Sequence, residues 1–506
     1  MRDGTVVVST SDYLNWLTCP GFSWAVMHQP ELTPPEDATS RRKHIAEDTV
    51  ETLARTLFPD GLPIDTGDAE EDAARTRDAM TAGADIIFQA TVITGCGLHA
   101  RADVLIREET GWHLIEIKSS AADPAKPNGA VKKHLPEVAF QTVAFEEAGV
   151  PISHSSLLHV NKHYRRNSDV RPEDVLALTD ISTFVRKARS GTEARIAAAL
   201  ACLQDGSQVA ACDCDRKTRA NRCELFAHFH PNIPAQDTIY HITGIHQSML
   251  LPAIDRGIIH LVDWPDDLPL SPKQKRQVEL SRTGRQVIQR DRIEALFRTL
   301  RYPLYFLDYE TFQQPIPLWE GFTPQQQVPF QYSLHVVEED GAKTHYEHMC
   351  TERGENPIPE LVLNLRNHVG DTGSVIVWNK AFEESRNREM AALLPEHAPF
   401  LDHINRRMVD LADVVSKGWW VHPEFGGRWS LKAVLPVAAP DLGYDELEIG
   451  NGGAASERWT QCMVDDFDTV PEQEREEVIE ALRTYCHLDT LAMIRIWEHV
   501  LDLITA

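Results

Sequence analysis

Asp308 and Glu310 stand two residues apart in Pro303-Leu304-Tyr305-Phe306-Leu307-Asp308-Tyr309-Glu310-Thr311-Phe312. The apolar and aromatic run around them predicts a buried strand. A strand projects residues i and i+2 from one face, so both carboxylates point into one space. Like charges held that close repel, and a fold tolerates them when something positive, most often a metal ion, sits between them. Further acids follow. Glu383 ends Trp378-Asn379-Lys380-Ala381-Phe382-Glu383, entered from the strand-like Ser374-Val375-Ile376-Val377. Asp489 ends Tyr485-Cys486-His487-Leu488-Asp489, inside a helix led in by the acidic run from Pro471 to Glu480. Tyr485 and Asp489 are spaced i, i+4, which puts a phenol beside a carboxylate on one helix face.

A second set lies nearer the N-terminus. Asp103 sits in Ala102-Asp103-Val104-Leu105-Ile106, and after the turn Glu108-Glu109-Thr110-Gly111 comes Leu114-Ile115-Glu116-Ile117-Lys118. Glu116 and Lys118 share one strand face while Ile115 and Ile117 fill the other. His44 precedes this set on a helix, and Gln141 follows on another. A third set is Cys212, Cys214 and Cys223 with the distant Cys19. In a reducing compartment clustered cysteines suggest a metal and scattered ones packing.

The elements that must position these residues are legible in outline. One helix is expected from about Thr10 to Glu31 and a second from about Arg41 to Leu57. Strands are expected over Asp85 to Thr94, Cys96 to Arg107 and His113 to Lys118. A helix over Gln247 to Ile258, a long connecting helix over Ser271 to Arg290 and a loop at Gly450-Asn451-Gly452-Gly453-Ala454-Ala455 complete the expectation. The chain has 506 residues, more than one core usually organises, so two or three domains are expected. No run of about 18 apolar residues predicts a membrane span. The stretch Met1 to Thr5 lacks the apolar core of a signal peptide, so the cytoplasm is the default location. A net charge of −26 opposes non-specific nucleic-acid binding, although local basic clusters occur at Arg41-Arg42-Lys43-His44, Lys132-Lys133-His134, Lys162-His163-Tyr164-Arg165-Arg166 and Lys273-Gln274-Lys275-Arg276.

The order of the acids, with Tyr485 in the last motif, resembles the DEDD exonucleases of the ribonuclease H-like fold, in their tyrosine variant. The resemblance implies that Asp308, Glu310, Glu383 and Asp489 hold two Mg2+ or Mn2+ ions about 3.5–4 Å apart, with Tyr485 orienting the attacking water. The family usually has Asp in its second motif, so Asp410 in Met408-Val409-Asp410-Leu411 rivals Glu383 as a ligand. Arg428-Trp429-Ser430-Leu431-Lys432-Ala433-Val434-Leu435-Pro436 resembles a segment of bacterial DEDD-type proteins, which would place Lys432 near a phosphate. Asp103 followed by Glu116-Ile117-Lys118 resembles the PD-(D/E)xK nucleases. This implies Asp103 and Glu116 as metal ligands and Lys118 as the group that positions water or offsets charge. His44 matches the extra metal-side histidine of the RecB-like branch and Gln141 its following helix, with Phe145 where tyrosine is usual. One cysteine before that core and three after it are similar to the iron-sulfur pattern of RecB-like nucleases, implying a [4Fe-4S] cluster on Cys19, Cys212, Cys214 and Cys223. Phe229 stands where the last cysteine is usual, and a Zn2+ site using His228 or His230 is the runner-up.

Together these resemblances lead to an α/β architecture with a PD-(D/E)xK restriction-endonuclease-like domain at residues 1–235, a helical connector at 236–292 and a ribonuclease H-like domain at 293–506. The expected activity is metal-dependent hydrolysis of DNA or RNA phosphodiesters, in repair, processing or defence against foreign nucleic acid. Two other readings stay open: a nucleic-acid-binding scaffold with one or both sites degenerate, and a subunit that needs a protein partner or self-association. No membrane partner is expected.

Overall fold

The computed structural model describes residues 6–35, 38–445 and 447–506. It is a mixed α/β protein with two compact units. The first runs up to Pro231 and also takes in Gln314–Gln326; the second comprises Asn232–Gln313 and Gln327–Ala506.

The first unit begins with β1 (Val8–Ser9), α1 (Thr10–Thr18) and α2 (Pro20–His28). Ser9 and Asp12 form a reciprocal cap at the start of α1. The single helix expected from Thr10 to Glu31 is therefore two. Pro20 lacks the N–H that would continue α1, and Cys19 turns extended and caps α2 by accepting from Phe22 N at 3.4 Å. There follow α3 (Ala38–Arg55), β2 (Leu62–Pro63), α4 (Ala69–Ala82), β3 (Ile86–Ile93), β4 (Leu98–Glu108), β5 (Gly111–Ala122), α5 (Asn128–Glu147), β6 (Ile152–Asn161), α6 (Pro172–Val175), β7 (Leu176–Asp180), α7 (Ser182–Leu203) and α8 (Phe226–Phe229).

The sheet order is β2-β3-β4-β5-β6-β7, with β1 added parallel to β4. β3, β4 and β5 form an antiparallel meander, and α5 is the crossover that makes β6 parallel to β5. Separate cores cover its two faces. Tyr13 of α1, Phe140 and Phe145 of α5 and Ile196 of α7 pack with Ala102 and Leu114. Val50 and Ala54 of α3 pack with Phe88, Val104, Ile115 and Ile117. Phe145 is fully buried in the first core. Gln314–Gln326 is held within this unit by Phe322 O accepting from Arg166 N at 2.9 Å and Gln325 Nε2 donating to Ser119 O at 3.1 Å.

The second unit contains α9 (Gln247–Asp255), α10 (Pro272–Thr283), β8 (Val287–Ile288) and α11 (Arg290–Phe297). The long helix expected over Ser271 to Arg290 ends early. Gly284 adopts φ 65° at its C-cap, and Val287–Ile288 then pairs with a strand far along the chain. After these come β9 (Leu304–Phe312), β10 (Val328–Val337), β11 (Lys343–Met349), α12 (Pro357–His368), β12 (Ser374–Val377), α13 (Lys380–Leu393), α14 (Ala398–Arg407), β13 (Met408–Asp410), α15 (Asp413–Ser416), β14 (Trp420–Val421), α16 (Leu431–Ala438), α17 (Gly452–Thr460) and α18 (Glu472–Thr505). The loop expected at Gly450 to Ala455 is instead the start of α17, because Asn451 caps it by accepting from Ala454 N at 2.9 Å.

Here the sheet order is β11-β10-β9-β12-β13, antiparallel from β9 to β11 and parallel from β9 to β13. α18 lies along β9 and β10 and fills the core with Met493, Ile496, Trp497 and Val500 against Phe306 and Ile376.

Candidate functional site

In the second unit, the face of β9 toward α18 carries Asp308 and Glu310. The carboxylate oxygens of these two and the Cys486 sulfur lie within 4.8 Å of one another. Tyr309, on the other face, donates to Asn387 of α13 at 3.0 Å, which locks the strand's orientation. One turn of α18 brings Tyr485 and Asp489 to the same space, and the first turn of α13 brings Glu383. Glu310, Glu383 and Asp489 are buried, at 7, 2 and 7% exposure. Burial, then the charge of Asp489, pushes Asp308 well above the usual carboxylate range. Burial, then Asp308 and its neighbours, does the same to Glu310 and Glu383. Burial raises Asp489 to about 6 even though Tyr444, Lys432 and Tyr485 favour its anion.

Lys432 of α16 is turned toward Asp489 and Glu310. Its Nζ donates to Gly450 O and stands 3.5 Å from Tyr485 OH, over the rings of Tyr444 and Tyr485. Burial, then Asp489, holds the Tyr485 phenol protonated. Asp410 is turned to other work: its carboxylate accepts from Asn379 N, Lys380 N and Ala412 N, capping the start of α13. Glu383 thus lies within electrostatic reach of Asp308 and Glu310, and of Asp410 as well, while the Asp410 carboxylate is engaged by backbone.

Four carboxylates face Lys432 and, at Glu383, the buried Arg386, which Glu389 also engages, and this leaves a deficit of positive charge that divalent ions suit. Two observations fit such ions: the Glu310 carboxylate accepts no hydrogen bond among the described residues, and Glu383 Oε2 is buried without a partner. The trio is tighter than the whole set. Asp489 and Glu383 lie outside the group whose ligand atoms are within 4.8 Å of one another.

In the first unit, Gln89, Asp103, Glu116 and Lys118 come together on neighbouring strands. β4 and β5 pair from Glu108 and Gly111 as far as Val104 and Ile115. Beyond that point the Asp103 side chain takes over and accepts from Ile117 N at 2.7 Å. Gln89 stands opposite Asp103 with φ 53° and donates to it at 3.2 Å. Its Nε2 also donates to Glu51 of α3 at 2.5 Å. Glu116 is bonded on both oxygens, by Lys118 at 2.7 Å and by Gln141 at 2.8 Å. Lys118 also pairs with Glu137 of α5 at 2.8 Å. Burial raises Asp103 to about 6 and pushes Glu116 well above the usual range. Glu137 goes the other way: burial opposes it, but His134 and Lys118 hold its carboxyl at about 2. Lys118 keeps its charge because Glu116 and Glu137 outweigh its burial.

This cluster also suits a divalent ion. Asp103, Glu116 and Glu137 share Lys118 while Glu51 pairs with Arg55, and the acceptor oxygens of Gln89 and Gln141 are buried without partners. His44 is exposed on α3, and no ligand trio of His44, Asp103 and Glu116 forms among the described residues. Glu51, two turns further along the same helix, is the α3 side chain that reaches the Asp103 surroundings.

Cys19, Cys212, Cys214 and Cys223 place their sulfurs within 4.8 Å of one another. Cys212 lies 3.5 Å from Cys19 and 3.8 Å from Cys223. The hydrogen bond from Cys223 lowers Cys19 to about 5, whereas burial raises Cys212 to about 12. Thiolates this close repel one another, and a cation among them would offset that repulsion. His228 and His230 are outside this group, so the thiols form a complete four-ligand set without either.

Glu51, Gln89, Glu137, Tyr444 and Cys486 were not singled out from sequence. Glu137 carried a local signal, since it is i−4 from Gln141 on one helix face. Tyr444 carried none, because its loop reaches Asp489 only through the fold.

Residues 305–430 match the family model described as a domain of unknown function, DUF2779. That span contains Asp308, Glu310, Glu383 and Asp410 and stops short of Lys432, Tyr485 and Asp489. The chain is similar to an uncharacterized protein of Ureaplasma parvum serovar 3, 30% identical over 232 residues, or 41% of this chain and 33% of the relative. It is also similar to an uncharacterized protein of Mycoplasma pneumoniae, 26% identical over 233 residues, 42% of this chain and 34% of the relative. The chain spans about a third of the length of these curated relatives, and what its sequence matches in the family model is the carboxylate-bearing core of the second unit.

Proposed function

We propose that this protein is a metal-dependent nuclease with two phosphodiesterase sites, a PD-(D/E)xK site in the first unit and a DEDD-type site on a ribonuclease H-like sheet in the second. The observation that carries the reading is the convergence of Asp308, Glu310, Glu383 and Asp489, from three separate elements, on one buried space beside Tyr485 and Lys432. The strand order of the second unit, three antiparallel strands followed by two parallel ones, supports it. So does the alternation Asp103, Glu116, Lys118 on paired strands with Gln141 of the crossover helix bonded to Glu116.

Divalent ions held by Asp308, Glu310, Glu383 and Asp489 in one unit and by Asp103 and Glu116 in the other would supply Lewis acidity and lower the pKa of a bound water. The residues do the rest. In the second unit the protonated Tyr485 phenol can orient a water, and Lys432, held by Gly450, can face phosphate oxygen. In the first unit Glu137 keeps Lys118 charged and fixed beside Glu116, where it offsets charge on a phosphorane-like transition state. Lys132 and Lys133 are exposed on α5, one turn before Glu137, and offer contacts to a nucleic-acid backbone.

At the cysteines, the 3.5 and 3.8 Å separations match the edge of a tetrahedron around a single ion, about 3.8 Å for a Zn–S bond of about 2.3 Å. Thiolates bound to different irons of a four-iron cube stand further apart. We therefore read this as a structural Zn2+ site that joins Cys19 to the segment after α7.

The test is degradation of end-labelled single- and double-stranded DNA and RNA with Mn2+, comparing wild type with Lys118→Ala, Asp308→Ala and the double variant. Each single change is expected to remove a separate part of the activity. If wild type cleaves none of these substrates, the nuclease reading fails. If only Lys118→Ala has an effect, the second unit is a binding module.

A further inference from the structure

Three histidines outside both carboxylate sites face one another in the second unit. His335 of β10 and His345 of β11 are directly opposite in the antiparallel register, and His487 of α18 closes over both. Ring centroids are 4.4 Å apart for His335 and His345, 4.8 Å for His335 and His487, and 4.3 Å for His345 and His487. One ring nitrogen from each lies within 4.8 Å of the other two.

The positions on either side show what this interface does elsewhere. Arg483 of α18 meets Glu347 of β11 at 3.5 Å, and Lys343 of β11 meets Glu498 of α18 at 2.5 Å. Opposite charges hold the helix to the hairpin at both ends, while the middle juxtaposes three like groups. Imidazoles in such a trio gain little from one another, but ring nitrogens within 4.8 Å of one another are near enough for one cation to take all three.

The rings are also held in the way metal-binding imidazoles are held. His335 Nδ1 is 2.8 Å from Thr490 Oγ1, and His345 Nε2 is 3.0 Å from Ser333 Oγ. The two hydroxyls are 2.7 Å apart. These bonds commit one nitrogen of each ring and leave the other, His335 Nε2 and His345 Nδ1, to a ligand. The His487 carbonyl accepts from Thr490 Oγ1 at 3.1 Å, while its ring makes no hydrogen bond among the described residues. Burial, with neighbouring imidazoles, keeps His335 at about 3 and His345 at about 4, so both are neutral, the form that binds metal. His335 is buried while His345 and His487 are half-buried, which leaves one side open for water to complete the coordination.

We propose that His335, His345 and His487 form a three-histidine site for a divalent transition-metal ion of the Zn2+ class, bracing α18 against the β10–β11 hairpin. The brace sits on the same helix turns that carry Tyr485 and Asp489, so it would set the height of those side chains over Asp308 and Glu310. The site stands on its own ligands and does not depend on the nuclease reading.

The probe is Zn2+ itself. The full chain is stripped with chelator, reloaded with Zn2+ in excess Mg2+ so that the oxygen-ligand sites are filled, desalted, and counted for zinc per chain. Cys214→Ser, His345→Asn, His487→Gln and Ser333→Ala are compared with wild type. The expected result is that His345→Asn and His487→Gln each lose one zinc equivalent that Cys214→Ser retains, and that Ser333→Ala weakens it by about 10–100-fold. In parallel, Co2+ loading should give visible bands of a nitrogen-ligated ion that disappear in His345→Asn while any sulfur charge-transfer band persists. Circular dichroism guards against an unfolded variant. Equal zinc in wild type and in both folded histidine variants, or no histidine-dependent Co2+ band, would overturn the proposal.

Discussion

Tyr444 donates its phenolic hydrogen to Asp489 Oδ1 at 2.5 Å, although the two are 45 residues apart in the chain. This bond orients a buried carboxylate on α18 from a loop outside every motif. A hydrogen bond to a charged group contributes about 1.5–3 kcal/mol, which corresponds to about 10- to 100-fold. Tyr444→Phe should therefore weaken Mn2+ activation of the second site by about that factor, with folding unchanged. The measurement is the Mn2+ concentration dependence of cleavage in a Lys118→Ala background.

Lys118 is only 13% exposed and serves two carboxylates. Its removal strands Glu116 and Glu137, and breaking a buried pair costs about 3–5 kcal/mol. Lys118→Ala should lower the stability of the first unit by about that amount in metal-free buffer. Adding Glu137→Gln should recover part of it. Urea unfolding of both variants decides the matter, and an unchanged midpoint for Lys118→Ala would contradict the buried pairing.

Proton and metal should compete at both sites. Asp103 and Asp489 have folded-state values raised to about 6 from an ordinary 3.8. The folded chain thus keeps protons that the unfolded chain has released between about pH 4 and pH 6, so metal-free stability falls as pH rises through that window. Mn2+ replaces those protons and should flatten the fall. Melting temperatures from pH 4.5 to pH 7.5, with chelator and with Mn2+, test this; coincident curves would count against ion binding at either cluster.

The cysteine site joins Cys19 to Cys212 across 193 residues. An ion bound there at a hundred times its dissociation constant stabilises the chain by about 2.7 kcal/mol. Cys214→Ser should lose the thiolate-bound metal and melt earlier by an amount that chelation reproduces in wild type. Elemental analysis should find zinc; a brown protein containing iron would instead restore the cluster reading.

Lys132 and Lys133 test the proposed backbone contacts. Changing both to Glu should weaken nucleic-acid binding across sequences. It should also reduce the slope of log affinity against log salt by about 2, one for each lost phosphate contact. Titrations at several salt concentrations measure it, and an unchanged slope would place the backbone elsewhere.

Short-range geometry was legible in the sequence. A strand's period of two put Asp308 with Glu310 and Glu116 with Lys118, and a helix's turn put Tyr485 with Asp489, because each pairing is internal to one element. The positions of β9, β4, β5 and α18 followed from the same periodicities. The sequence favours Glu383 by its place in the motif order and keeps Asp410 open as a rival. Asp410 and Glu383 differ in what the fold brings near: three backbone N–H groups for the first, Asp308 and Glu310 for the second.

Tertiary structure alone decided the remainder. It set Glu51 and Gln89 against Asp103, Tyr444 against Asp489, and His335 with His345 beneath His487. It also returned Gln314–Gln326 to the first unit, from between two strands of the second. The physical reason is common to all of these. A residue's type and spacing determine which face of its own helix or strand it occupies. What lies opposite that face depends on burial and register among elements distant in the chain, and only the packed fold supplies those.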